Sequence, residues 1–356
     1  MAPRPKNTDA PPDSDRHPGA LHPREQTALF GQAAAERLLL DAYRSGRFPH
    51  AWIFGGRAGI GKATLAWRLA RFLTTHPDAD ALDVASANSL DVDPNTQAAR
   101  SIATMATPNI AVLRREWNFE AKPPKHFSVI RVDEVRAATR RFRLSAAGGG
   151  WRIAIIDTAD DLNPQAANAL LKIIEEPPPR SLFLLISHQP GRLLPTIRSR
   201  CRRLMLEPLG RDDLASALAS LDVFADASIL DRARGSVGEA LTLMGEGGSR
   251  FASEVERMLR DLPSVDWRSV STLADRISPA RAEPEYDAFV GLVFQYLDDQ
   301  VRQRAGEGAE RLAPLARVWE KFGEAARATE TLNLDKRPLV LSLFEDLGAA
   351  ASGARR

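Results

Sequence analysis

Residues 51–64 read AWIFGGRAGIGKAT, and their reading decides the fold. Ala51 to Phe54 form a short apolar run that ends in glycines, the pattern of a buried strand. Gly56 to Lys62 supply the phosphate-loop string G-x-x-x-x-G-K. From Ala63 onward, ATLAWRLARFL places Leu65, Leu69 and Phe72 at helical spacing. A strand, a glycine turn and a helix are the context such a string needs. Its glycines let backbone N–H groups surround phosphate oxygens at the positive end of the following helix. Gly56, Gly59, Gly61 and Lys62 are therefore candidate ATP-binding residues, with Lys62 adding charge at the outer phosphates. The alternative is a glycine turn followed by an exposed lysine. The string then departs from its usual form, because the place of the Mg²⁺-holding hydroxyl is taken by Ala63. Thr64 is a candidate one residue later, but about 100° further around the helix, so it does not substitute directly. ATP binding is expected to be weak or absent, and metal-assisted hydrolysis badly impaired.

Working outward, LFGQAAAERLLLDAYRSGRF has apolar residues at helical spacing from Ala33 to Tyr43, with Gly46 as a stop. The spacing predicts strands at Ile110–Leu113, in WRIAIID and in SLFLLIS, and a strand end leading into a helix in SVIRVDEVRAATRRF. The triple glycine Gly148 to Gly150 marks a turn. DLNPQAANALLKIIEEPPP is a helix closed by three prolines. Strands alternating with helices imply a parallel sheet with crossover helices. Residues 76–104 are polar and poorly patterned, and no element is assigned to them. After about residue 207 the strand signal disappears. Two or three short helices, broken at Asp222 and Gly235, fit Arg211 to Met244. Helical spacing then continues to about residue 348, with Leu312, Leu315, Trp319 and Phe322 on one face.

With 44% hydrophobic and 26% charged residues over 356 positions, the chain has room for two or three domains. A net charge of +2 does not suit a dedicated binder of nucleic-acid backbone. No apolar run approaches the ~20 residues needed to cross a bilayer, so no membrane partner is expected. The single cysteine, Cys201, excludes an intrachain disulfide or a multi-cysteine metal site, and no metal ligands are assigned. The start, MAPRPKNTDAPPDSDRHPGA, has no apolar core and is rich in proline and charge. It reads as a disordered tail over residues 1–20, not a secretory signal, and the cytoplasm is the expected compartment.

Two further stretches carry chemistry. RIAIID ends in Asp157, which matches the acidic end of a Walker B strand supporting Mg²⁺. Thr158 follows it, and a hydroxyl is a poor base for activating water. Asp160 and Asp161 would have to turn back to serve; otherwise they are an acidic cluster at a helix start. The second stretch is RSRC, Arg198 to Cys201, after the strand SLFLLIS. An arginine held there can reach a phosphate on a neighbouring subunit. The alternative is a solvated basic run of Arg198, Arg200, Arg202 and Arg203. Cys201 reads as a small buried residue.

The order HAWIFGGRAGIGKATLA, IAIIDTADDLNPQAANALLKIIEEPP and LPTIRSRC resembles the clamp-loader branch of the AAA+ proteins, subunits of bacterial DNA polymerase III. The resemblance runs from about Phe30 to about Met244 and is weaker in the C-terminal helices. It implies an α/β P-loop AAA+ domain over residues 21–206, a small helical lid domain over 207–250 and an all-α collar domain over 251–356. It implies a five-subunit ring with gamma/tau ATPase subunits and a delta subunit, which loads the sliding clamp on primed DNA. It also implies that Arg200, within Ser199-Arg200-Cys201, is an arginine finger acting in trans on a neighbour's ATP. The departures are informative. Motor subunits carry Thr or Ser where this chain has Ala63, and Asp-Glu where it has Asp157-Thr158. Their lid reads G-S-x-R where this chain has Gly235-Ser236-Val237-Gly238. The implied role is a stator within the polymerase holoenzyme, its own ATPase absent or weak; the rival is an active motor. Relatives often hold zinc through four cysteines after the P-loop helix. This chain has none there, so no zinc is expected.

Arg114, Arg115 and the run Arg140, Arg141, Arg143 offer backbone-phosphate contacts to DNA or simply solvated faces. Trp52, Trp67 and Trp151 are expected in the core. Phe289, Leu292, Val293 and Tyr296 share a helical face that fits an interface or a core.

Overall fold

The computed structural model describes residues 11–122, 124–144, 150–245, 248–279, 282–332 and 334–353. Residues 1–10 of the expected tail, and Gly148 and Gly149 of the expected turn, lie outside these. The chain divides into two compact units, Met1–Leu241 and Thr242–Arg356.

The first unit opens with α1 (Ala33–Arg44), β1 (Ala51–Gly55), α2 (Lys62–Thr75), α3 (Leu82–Ser86), α4 (Gln97–Ala103) and β2 (Ile110–Leu113). A short antiparallel hairpin, β3 (Trp117–Asn118) and β4 (Lys125–His126), precedes α5 (Val132–Leu144), β5 (Arg152–Asp157), α6 (Pro164–Glu175) and β6 (Ser181–Ser187). Then come α7 (Pro195–Arg198), β7 (Arg202–Met205), α8 (Arg211–Ala219), α9 (Ala227–Ala233) and α10 (Val237–Met244). The main sheet has the order β2-β5-β6-β1-β7, with every neighbouring pair parallel. Helices cover both of its faces, so β1 and β6 are buried along their whole length and read as continuous apolar runs. The two-residue period still sorts their side chains. Trp52 and Phe54 enter the core under α1 and α2, whereas Ala51 and Ile53 enter the core under α5 and α6. Because the strands are parallel, the carboxyl ends of β1, β2, β5 and β6 share one edge, where open α/β sheets bind ligands.

Three features differ from the sequence expectation. Arg202 and Arg203 read as part of a basic run, yet with Leu204 and Met205 they form the edge strand β7 beside β1. Only Leu204 is buried there, so the strand is made by its backbone pairing, and Arg202 and Arg203 on a sheet edge discourage further strand addition. The unassigned stretch 76–104 contains α3 and α4, with Val84, Leu90 and Ile102 in the core under α2. Its second anchor is polar: Oε1 of the buried Glu36 accepts from Arg68 at 2.8 Å and from the Leu90 N–H at 3.1 Å. Finally, residues 11–20, expected to be disordered, fold through turns and ion pairs with the sheet edge. Arg16 N–H donates to the Asp13 carbonyl, Ala20 N–H to the His17 carbonyl, and Arg114 pairs with Asp15 at 2.7 Å. Proline and charge alone suggested disorder, but the charges here have buried partners.

The short helices α8, α9 and α10 follow the sheet, with reversals at Asp222 and Gly235, both at positive φ. The second unit holds α11 (Gly248–Arg260), α12 (Trp267–Ile277), α13 (Glu283–Gln303), α14 (Ala309–Leu332) and α15 (Lys336–Gly353). Its core includes Val255, Leu273, Phe289, Val293, Phe322 and Phe344. Phe289 and Val293 are fully buried, while Leu292 and Tyr296 pack half-buried at the margin, so this face is a core face. The architecture is an α/β P-loop sheet with crossover helices, followed by helices only. No helix among the described residues is long and apolar enough to cross a membrane.

Candidate nucleotide-binding site

β1 delivers the chain to the carboxyl edge of the sheet, and Gly61 caps α2 in the left-handed region at φ +98°. Gly56 also has positive φ, +138°. At Gly59, φ +74°, a side chain is excluded twice over. The backbone conformation disfavours it, and a Cβ would strike Ser236 Oγ and lie 2.9 Å from Gly238 N. The Gly59 carbonyl accepts from Val237 N–H at 2.9 Å, and Arg57 pairs with Glu239 at 3.2 Å. Ser236 Oγ in turn accepts from Glu239 N–H at 3.1 Å, capping α10. The phosphate loop is thus bonded directly to the start of α10, at the Gly235-Ser236-Val237-Gly238 turn.

Lys62 is buried and turned onto its own loop. Its Nζ donates to the Gly56 carbonyl at 2.7 Å and also to the Arg57 carbonyl. Burial pushes the ammonium down to about 8, with the negative charges of Asp157 and Asp160 opposing the shift. Asp157, at the end of β5, is pushed up to about 8 by burial, with Asp15 adding to the rise and Lys62 opposing it. A metal ion bound there would have to displace the carboxyl proton. Ala63 packs against the core under α1, and Thr64 sits half-buried in the first turn of α2. Neither Asp160 nor Asp161 turns back to replace the absent base. Asp160 accepts from Ser187 Oγ at 2.7 Å and from His188 N–H at 2.5 Å, tying the ends of β5 and β6 together. Asp161 faces Arg115 at 3.3 Å. The structure brings Gly56, Gly59, Gly61, Lys62 and Asp157 to one place, but the lysine is bonded to its own loop and Asp157 is buried.

Arg200 stands apart from this group. It follows α7 and precedes β7, which runs parallel to β1 with Trp52 opposite Arg202 and Gly55 opposite Met205. Arg200 therefore lies at the amino end of the sheet, whereas the P-loop lies at the carboxyl end. Five residues of strand rise separate the two ends, about 16 Å. Its Nε is 2.8 Å from Glu175 Oε1 at the end of α6, and its guanidinium also donates to the Thr196 carbonyl and Ser199 Oγ, each at 3.2 Å. Both members of the pair are about two-fifths exposed: 42% and 40%. The supposed basic run is thereby divided: Arg198 bonds the Gly191 carbonyl, while Arg202 lies over the Trp52 ring. Cys201 is buried, and burial pushes its thiol up to about 12.

Sequence reasoning missed the acidic and histidine residues before α1. Asp13 and Asp15 both pair with Arg114, Asp13 also pairs with Arg24 at 2.9 Å, and His22 is 3.1 Å from Asp15. The only trace in the sequence is DSDRHPGALH, whose spacing has no helical or strand period. Asp13, Asp15 and His22 are the group of possible metal ligands found among the described residues, their ligand atoms within 4.8 Å of one another. Arg114 and Arg24 already neutralise those carboxylates, so the guanidinium charge stands where a cation would. Arg114 and Arg115, candidates for DNA backbone, are thus engaged within the chain. Arg140 and Arg143 remain on an exposed face of α5, and the side chain of Arg141 lies outside the described residues.

The family model described as "DNA polymerase III, delta subunit" matches residues 31–210. A Pseudomonas aeruginosa protein named DNA polymerase III subunit delta' is 37% identical over 198 residues, covering 55% of this chain and 52% of that protein. The protein of the same name from Escherichia coli K12 is 28% identical over 248 residues, covering 68% and 69%. A Mycobacterium tuberculosis protein named DNA polymerase III subunit gamma/tau is 32% identical over 185 residues, covering 51% and 29%. The match thus spans about half the length of the Pseudomonas relative.

Proposed function

The chain belongs to the DNA polymerase III delta-subunit family, and on that premise we propose that it is a delta'-like stator of the clamp loader. In this reading it occupies one place in a hetero-pentameric ring with gamma/tau ATPase subunits and a delta subunit. The ring acts in the cytoplasm, opening the sliding clamp and loading it on primed DNA. Residues 251–356 supply the collar through which the subunits assemble, and residues 207–250 are the lid. Arg200 is the arginine finger, directed at ATP on the adjacent subunit.

The observation that carries this reading is the position of Arg200 at the sheet end opposite its own P-loop. It is about two-fifths exposed, and no phosphate held by Gly56–Lys62 is within its reach. A phosphate it serves must belong to another chain. The self-bonded Lys62 and the methyl side chain of Ala63 agree with a subunit that assists hydrolysis without performing it.

The test is steady-state ATP turnover by this chain alone, then with gamma/tau, delta, clamp and primed DNA, using wild type and Arg200→Ala. Silence alone, with an assembled rate that falls in the variant, is the expected result. Turnover by the isolated chain that disappears in Lys62→Ala would instead identify a motor. An assembled rate unchanged in Arg200→Ala would remove the finger.

A further inference from the structure

Residues 11–27 run along three elements around the P-loop. The first is α2, the helix that follows the P-loop. Arg71 there donates to the Arg24 and Gln26 carbonyls, at 3.3 and 2.6 Å, and the fully buried His22 ring packs edge-on to Trp67 at 6.3 Å. The second is the carboxyl end of β2, where Arg114 holds Asp13 and Asp15. The third is the start of α10. The His17 ring carbon Cδ2 lies 3.6 Å from where a Gly238 Cβ would be, and Gly238 itself abuts Gly59. A Cβ built on Gly19 lies 3.8 Å from Leu241 Cβ.

The anchoring is specific. The Asp15 side chain is 1% exposed and that of His22 is 0% exposed. Burying a carboxylate costs free energy unless it is paired, and here Arg114 and His22 supply the pairing. The His17 ring against Gly238, which itself touches Gly59, brings the segment beside the P-loop. A triphosphate entering beside Gly59 would meet the His17 ring, which lies against Gly238. Ring and triphosphate cannot both be accommodated.

We propose that residues 11–22 are a strap that closes this chain's own phosphate site, so that nucleotide enters only when the strap lifts from Arg114 and α10. The proposal goes beyond the stator role and is independent of Arg200, whose readout is a neighbour's ATP. It assigns the weakness of nucleotide binding to competition by the chain itself, on top of the altered P-loop. In such a competition the apparent Kd is the intrinsic Kd divided by the fraction of molecules with the strap open.

The experiment uses the full chain carrying Gly19→Cys and Leu241→Cys. Their Cβ separation of 3.8 Å suits a disulfide, and the native Cys201 is buried. Binding of a fluorescent N-methylanthraniloyl ATP is titrated with the pair oxidised and then reduced. A second full-chain variant, Asp13→Asn with Asp15→Asn, loosens the strap at its other anchor, and circular dichroism checks that each variant is folded. Expected are no binding when oxidised, binding when reduced, and affinity in the double asparagine variant at least about tenfold tighter than wild type. Equal binding by the oxidised and reduced forms would overturn the strap. So would a folded asparagine variant that binds no more tightly than wild type, or a reduced pair that does not bind at all.

Discussion

The Nε atom of Arg200 lies 2.8 Å from Oε1 of Glu175, a contact between the turn before β7 and the end of α6. Two exposed side chains paired this way contribute little stability, about 0–1 kcal/mol. In the proposed finger role, the pair would bias where the guanidinium points. Glu175→Ala should therefore leave the melting temperature nearly unchanged and lower ATP turnover in the assembled clamp loader. Arg200→Ala should lower it further, by about tenfold or more, short of the roughly 10³–10⁵ attributed to fingers that act without help. Parallel melting curves and turnover assays on the two variants check this, and a fall in turnover without a fall in stability separates positioning from folding.

Gly59→Ala tests the junction between the P-loop and α10. The substitution adds left-handed backbone strain and a collision with Ser236 and Gly238, together costing about 1–3 kcal/mol in urea unfolding. Gly46→Ala is the control. Gly46 also has positive φ, +68°, but nothing lies within 4 Å of its added Cβ, so only the backbone cost remains.

The Glu36–Arg68 pair holds residues 76–104 against α2 from within the core, with side chains only 11% and 8% exposed. Glu36→Ala leaves Arg68 its pairing with Asp91 at 3.2 Å but strands the buried Leu90 N–H. It is expected to destabilise by about 1–3 kcal/mol, and Glu36→Gln by less because it keeps an acceptor. Chemical denaturation of the two variants gives the comparison.

Asp157 links stability to pH. Its folded carboxyl titrates at about 8, against 3.8 for the ordinary group. Between those values the folded chain binds one more proton than the unfolded chain, so stability from this group falls as pH rises toward 8. Asp157→Asn should remove that fall. The variant should melt above wild type at pH 8, by about 2–4 °C per kcal/mol recovered, and near wild type at pH 4.

Cys201 should resist alkylation. Its thiol is 8% exposed and raised to about 12 by burial, so the reactive thiolate is absent at ordinary pH. Iodoacetamide at pH 8 should leave the native chain unlabelled and label it once in guanidinium.

Much of the architecture is legible in the sequence because it is set by local chemistry. AWIFGG can only be a buried strand running into a glycine turn, and the helix after it follows from Leu65, Leu69 and Phe72 at one spacing. SLFLLIS and WRIAIID are equally plain, since strands covered on both faces are apolar throughout. The losses at Ala63, Thr158 and Gly238 are visible too, because a missing functional group is a matter of residue type alone. α3, α4 and β7 were not legible, for a shared reason. They are short and show no clear apolar period, and each element is held by a partner distant in the chain: Leu90 and Val84 by α1 and α2, Arg202–Met205 by the backbone of β1.

The sequence by itself determined which residues are available: a glycine loop with a lysine, a carboxylate at a strand end, an arginine before a cysteine. Only the tertiary structure decided what they face. Parallel pairing of β1 and β7 puts Arg200 and the P-loop at opposite sheet ends, so the arginine is directed away from its own site. Burial, which no local pattern encodes, turns Lys62 onto its own loop and pushes the Asp157 carboxyl up. Asp13 and Asp15 read as part of a disordered tail, yet Arg114, far along the chain, neutralises them. Charge is a property of the residue, but the dielectric and the counter-charge that set its consequences come from segments folded together.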